Sequence, residues 1–173
     1  MDYLKNKNIM IEGVEGTGKS TLIKQLKDLY PFTIISPSNY LDNASSMYYG
    51  YKLLSHLNTG MLFDRFFISR SAFIEGEEMS FVFNLDWVSD KNRIVLLECD
   101  YSTILKRFDK KKLKKFSYKC YEIHDIPKIA EKMRTIYDIF KIKHPEYCLD
   151  IDNTNQTKEE TLENVLTFLG KGG

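Results

Sequence analysis

Between Gly13 and Ser20 the chain reads GVEGTGKS, which fits the pattern G-x-x-x-x-G-K-[ST]. Such a stretch suits polyphosphate binding because glycines, lacking Cβ, let the main chain bend through positive φ and come close to an anion. The amide N–H groups of Gly13, Val14, Glu15, Gly16, Thr17 and Gly18 then face the phosphates, helped by the positive end of the helix that follows. Lys19 would reach the terminal phosphates, Ser20 would coordinate Mg²⁺, and Thr21 completes the first helical turn. The flanks agree with this reading. Asn8 to Glu12 (NIMIE) is a short apolar run typical of a buried strand, and Ser20 to Tyr30 carries Leu22, Ile23, Leu26 and Leu29 at helical spacing before Pro31.

A second pair of chemically capable residues stands at the end of another short apolar run, in LFDRFFISRSAF from Leu62 to Phe73. Ligands gather at the carboxyl ends of strands in open α/β sheets. Arg65 at such a place can hold phosphate oxygens with two parallel N–H bonds, which a lysine cannot do. Asp64 can hold metal-bound water or orient an acceptor hydroxyl. A lone Asp-Arg is more often a surface helix start; the glycine loop upstream favours a site. The D-x-x-G and N-K-x-D segments of a GTP switch are absent, and no LSGGQ-like segment points to a transporter ATPase.

The elements that must position these groups alternate along the chain. Strands are expected at Asn8 to Glu12, Phe32 to Ser36, Met61 to Asp64, Ile94 to Cys99 and Tyr147 to Ile151. Helices are expected at Ser20 to Tyr30, Ala44 to Leu57, in the stretch after Asp64 through Phe73, and at Glu77 to Val88. Further helices should span Ser102, as cap, to Leu113, then Ile126 to Lys143, and Thr157 to Leu169, where Thr157 and Glu160 fit a capping box. Strand–helix alternation implies right-handed crossovers and a parallel sheet covered on both faces.

The 173 residues suit one domain, with 43% hydrophobic and 28% charged residues and a net charge of +1. No broad basic field invites nucleic acid or anionic membrane, so phosphate affinity must be local. No apolar run approaches a membrane span and the start MDYLKNKN is polar, from which a cytoplasmic protein is expected. Three cysteines suit reduced thiols. Cys120, His124, His144 and Cys148 offer four conceivable zinc ligands but lack paired CxxC spacing, and Cys148 lies in an apolar run where a thiol serves as a small hydrophobe.

With IEGVEGTGKST, DRFFISRSAF, LLECDYSTILKRF and DIDNTNQTKEETLENVL in this order, the chain resembles the thymidylate kinase-like nucleotide kinases of the P-loop superfamily over nearly its whole length. The resemblance implies a three-layer α/β fold, a five-stranded parallel sheet with helices on both faces, in a single domain over residues 1–173 with a lid at about 107–125. It implies ATP and Mg²⁺, with Lys19, Asp64, Arg65 and Arg107 in catalysis and Ser20 and Asp64 at the metal. Glu15 falls near the acceptor sugar, Arg65 on phosphates, Arg70 where relatives read the base, and Phe73 where an aromatic favours deoxyribose. Asp152 to Gln156, Asn153 among them, would line the adenine. Relatives have tyrosine or histidine where Phe66 stands, and arginines before the Asp-Arg pair; here none lies between Ser20 and Asp64. Thymine specificity is therefore not implied.

Residues 107–121 (RFDKKKLKKFSYKCY) hold six lysines and one arginine. A solvated basic face is the ordinary reading, and single-stranded nucleic acid a remoter one, given the interleaved Phe116, Tyr118 and Tyr121. The resemblance makes it a lid that closes over polyphosphate, with Arg107 first and Lys111 second as its inward cation. The favoured activity is phosphoryl transfer from ATP to a nucleoside monophosphate, a deoxynucleotide above others. The alternatives are a deoxynucleoside 5′-hydroxyl acceptor, a non-catalytic nucleotide sensor, and a nucleic-acid 5′-end kinase. Small-molecule substrates and no membrane are expected, and a homodimer is open.

Overall fold

The computed structural model describes residues 6–36, 60–73, 90–108 and 122–170. The helices expected over 44–57 and 77–88, and the lid beyond Phe108 to residue 121, lie outside the described residues. Five strands form one sheet: β1 (Asn8–Glu12), β2 (Thr33–Ile35), β3 (Met61–Asp64), β4 (Asn92–Glu98) and β5 (Cys148–Asp152). All neighbours are parallel, in the order β2-β3-β1-β4-β5, with Ile11 opposite Asp64 on one side and opposite Val95 on the other. The central strand β1 is therefore where the order reverses, and its carboxyl end opens at the crevice that binds ligands in such sheets.

Side chains alternate across the sheet with the two-residue period of a strand. Ile9, Ile11, Leu62, Val95 and Leu97 enter one core, while Met10, Phe63, Ile94 and Leu96 enter the other. The first core is covered by α1 (Lys19–Leu29), through Leu22, Ile23 and Leu26, and by α5 (Lys158–Gly170), through Val165 and Leu169. The second is covered by α2 (Phe67–Phe73) and α4 (Ile126–Lys143). Helix α4 presents Ile126, Ile129, Met133, Ile136, Tyr137 and Phe140 at spacings that keep one face apolar. The α/β architecture expected from strand–helix alternation is present.

Element ends differ from expectation where local chemistry overrides periodicity. The short α3 runs Tyr101–Arg107 and stops there because Phe108 is extended, so it does not reach Leu113; Asp100, not Ser102, is its N-cap residue. The strand expected from Ile94 starts two residues earlier and that expected from Tyr147 starts one later, since Pro145–Tyr147 forms a 3₁₀ turn. Tyr30 ends α1 in extended conformation, as the residue before a proline prefers. The capping box on α5 is present: the Thr157 N–H donates to Glu160 Oε2 at 2.7 Å and the Glu160 N–H to Thr157 Oγ1 at 3.1 Å. Cys148 is buried in the core and His144 stacks on Tyr147.

Candidate active site

The loop after β1 turns through Gly13 (φ +141°), Gly16 (φ +82°) and Gly18 (φ +95°). At Gly13 a Cβ would sit 2.5 Å from the Leu97 carbonyl oxygen, and at Gly16 2.9 Å from Ile104, so neither tolerates a side chain. The turn is thus a cradle that only glycine can form here. Val14 closes its base: its carbonyl accepts from Thr17 Oγ1 at 2.8 Å and Lys19 Nζ at 2.7 Å. Lys19 is buried, and desolvation pushes its ammonium down to about 8, against the pull of Asp64 and Glu12. A buried ammonium gains most from an arriving polyphosphate.

A cleft of about 720 Å³ opens over this loop. It is lined by Gly16, Gly18, Lys19, Ser20 and Thr21, of which Ser20 and Thr21 are exposed. Glu15, Asp64 and Arg65 line the same cleft. Arg65 and Glu15 form an ion pair within this lining. Arg65 also adopts a left-handed backbone, φ +68°, a conformation that costs a residue with Cβ roughly 1 kcal/mol or more. The turn sets Arg65 in the lining of the cleft that opens over the phosphate loop.

Arg107 ends α3 and turns back to the loop. It donates to the Gly16 carbonyl (3.1 Å), to Asn153 Oδ1 (3.0 Å) and to the Asn153 carbonyl (3.0 Å), and touches Cys99 Sγ at 3.5 Å. Asn153, buried, gives its amide to the Thr17 carbonyl at 2.7 Å. Both groups expected to meet the nucleotide directly therefore also brace the phosphate loop against the β5–α5 connection, and both line the cleft. The backbones of Arg70 and Phe73 lie in α2, but their side chains fall outside the described set, so the base-reading and sugar-facing expectations attached to them do too.

One residue escaped the sequence reading. Glu12, the last of β1, is 1% exposed, and its carboxylate accepts the N–H groups of Phe66 (3.2 Å), Ile68 (2.9 Å) and Ser69 (3.0 Å) as well as the Ser69 hydroxyl. Its signal was a lone charge ending a strand otherwise too apolar to face water, since fully buried carboxylates require partners.

The donor set suits a hard divalent cation: Ser20 offers a hydroxyl and Asp64 a carboxylate to one cleft, and Mg²⁺ binds through one or two protein oxygens plus substrate phosphates.

A glycine cradle and buried lysine at the central strand, with an Asp-Arg turn lining the same cleft, belong to a P-loop kinase fold. Solved structures agree. The chain is similar to the YorR protein of Bacillus subtilis, in complex with phosphorylated GDP (TM-score 0.68, 19% identity, 95% of this chain and 96% of that one). It is also similar to thymidylate kinase of Candida albicans (TM-score 0.63, 16% identity, 96% and 92%). A third likeness is to deoxyadenosine kinase of M. mycoides with bound dCTP (TM-score 0.56, 15% identity, 95% and 99%). No protein-family model matches the sequence, and no curated protein matches it.

Proposed function

We propose that the protein transfers the γ-phosphoryl group of ATP to a nucleoside monophosphate, a deoxynucleotide above others. One observation carries this reading: the phosphate cradle with Lys19 and the Asp64–Arg65 turn line a single cleft of about 720 Å³. Phosphoryl transfer needs little covalent chemistry from a protein, only alignment and neutralisation of charge on the transferred group. In this reading the loop amides and Lys19 hold the donor, and Ser20 and Asp64 hold Mg²⁺. Arg65 orients the acceptor beside Glu15, and Arg107 with Asn153 fixes the donor wall. Mg²⁺, when bound, supplies charge neutralisation at the phosphate oxygens. A monophosphate is largely ionised at neutral pH, its second pKa being about 6, so it needs cations more than a base. The domain is read as one unit over 1–173, its lid at about 107–125, acting in the cytoplasm; a homodimer is a separate proposal for sedimentation to test.

A second reading, transfer to a nucleoside 5′-hydroxyl, is favoured by one observation: Glu15 already pairs with Arg65, so the acceptor wall carries two carboxylates against one guanidinium among the described residues. A hydroxyl acceptor wants such a base. The names of the similar proteins span both acceptor types. A coupled ADP-release assay with MgATP across deoxynucleosides and their 5′-monophosphates separates the two. Turnover confined to monophosphates supports the first reading, turnover confined to nucleosides the second, and ATP binding without transfer to any acceptor overturns both.

A further inference from the structure

We infer that Glu12 is a positioning residue for the acceptor: from the strand that carries the phosphate loop, it fixes the turn that presents Arg65. The inference rests on the phosphotransfer reading above for its kinetic readout. It rests on geometry for its substance.

The first N–H groups of a helix have no partner within the helix, and when buried they need one. Here the start of α2 is buried, with Phe66, Phe67, Ile68 and Ser69 all nearly inaccessible. Glu12 meets that need from 54 to 57 residues away, each carboxylate oxygen accepting two of the four donors. Its neighbour Ile11 accepts the Arg65 N–H at 3.0 Å. Consequently the amides of Arg65 and Phe66, on both sides of the Arg65 side chain's root, are tied to consecutive residues of β1. A left-handed, non-glycine backbone persists only where its surroundings leave no alternative, and these two bonds are such surroundings.

The same carboxylate stands directly before Gly13, so loop and turn share one rigid anchor. Sub-ångström alignment of donor and acceptor is what such an anchor contributes to transfer. With four donors on its two oxygens, Glu12 offers no lone pair suited to take a proton from substrate, which separates a positioning role from that of a general base. Its negative charge also helps keep the Lys19 ammonium protonated.

The test uses full-length wild type, Glu12→Gln, Ser69→Ala, Arg65→Ala and the Glu12→Gln/Arg65→Ala double variant, with MgATP and whichever deoxynucleoside or monophosphate the wild type phosphorylates. Loss of buried carboxylate acceptors corresponds to an expected rise in acceptor KM of about ten- to a hundredfold in Glu12→Gln. ATP affinity should fall far less than the acceptor KM rises, because Asp64 also favours the Lys19 ammonium, and the pH profile of kcat should keep its shape. Ser69→Ala should shift KM the same way by less, and it carries the test if Glu12→Gln does not fold. In the Arg65→Ala background Glu12→Gln should add little. A full, additive KM rise in that background, an ATP affinity that falls in step, or a kcat collapse with loss of the acidic limb each overturns the role. If wild type phosphorylates no acceptor, the proposed function fails and amide exchange decides about Glu12 by itself. Protection of residues 66–69 lost in Glu12→Gln with MgATP affinity kept supports it, and protection retained overturns it.

Discussion

At the scale of single residues, burial decides what each charge can do. Lys19 sits where desolvation draws its ammonium down to about 8, below the ordinary lysine value of 10.5. Between those two values the unfolded chain binds more protons than the folded one, so ligand-free stability should rise with pH across that window. Polyphosphate reverses this by favouring the charged form. MgATP binding near pH 8.5 should therefore take up protons, read by calorimetry in buffers of different ionisation enthalpy, and Lys19→Ala should abolish both the uptake and phosphoryl transfer. Arg65→Ala removes charge-assisted hydrogen bonds of about 1.5–3 kcal/mol, so a monophosphate acceptor should lose roughly ten- to a hundredfold in kcat/KM. A nucleoside acceptor should lose less; equal losses would count against the monophosphate reading.

Elements are held to the sheet by polar contacts placed at their ends. Helix α5 starts in a reciprocal Thr157–Glu160 box at the cleft rim, so Thr157→Ala should lower stability by about 1 kcal/mol in urea melts. Helix α4 is fastened by Arg134, which meets Glu98 at the end of β4 and Asp150 in β5. Burial alone would raise the Asp150 carboxyl, yet hydrogen bonds from Lys141 and Arg134 outweigh it and hold the group below its usual value. A depressed carboxyl stabilises above its unfolded pKa and loses that contribution as pH falls through the folded one. On the same helix the Tyr137 hydroxyl is buried without a hydrogen-bond partner among the described residues. Tyr137→Phe should therefore leave the melting temperature unchanged or raise it, because deleting an uncompensated polar group removes a desolvation cost; a clear loss would sink that account.

For the molecule as a whole, the sheet order β2-β3-β1-β4-β5 brings the carboxyl ends of β1, β2, β3 and β5 to one crevice. Binding there stabilises the folded state by mass action, so MgATP at a hundred times its Kd should add about 2.7 kcal/mol to unfolding, measured by urea titration. Lys19→Ala should erase that increment. The sequence by itself determined what depends on neighbours a few residues apart: the glycine loop between strand and helix, the Asp-Arg pair at a strand end, the apolar faces of α1 and α4, and the Thr157 cap. Each is a pattern of types at fixed spacing, and local backbone geometry is enough to express it. Only the tertiary structure decided that Glu12 caps a helix 54 residues onward and that Arg107 braces Gly16 from 91 residues away. It likewise decided that Glu15 faces Arg65. Such partners are chosen by strand register and by the need to satisfy buried charge, and neither leaves a periodic trace in the chain.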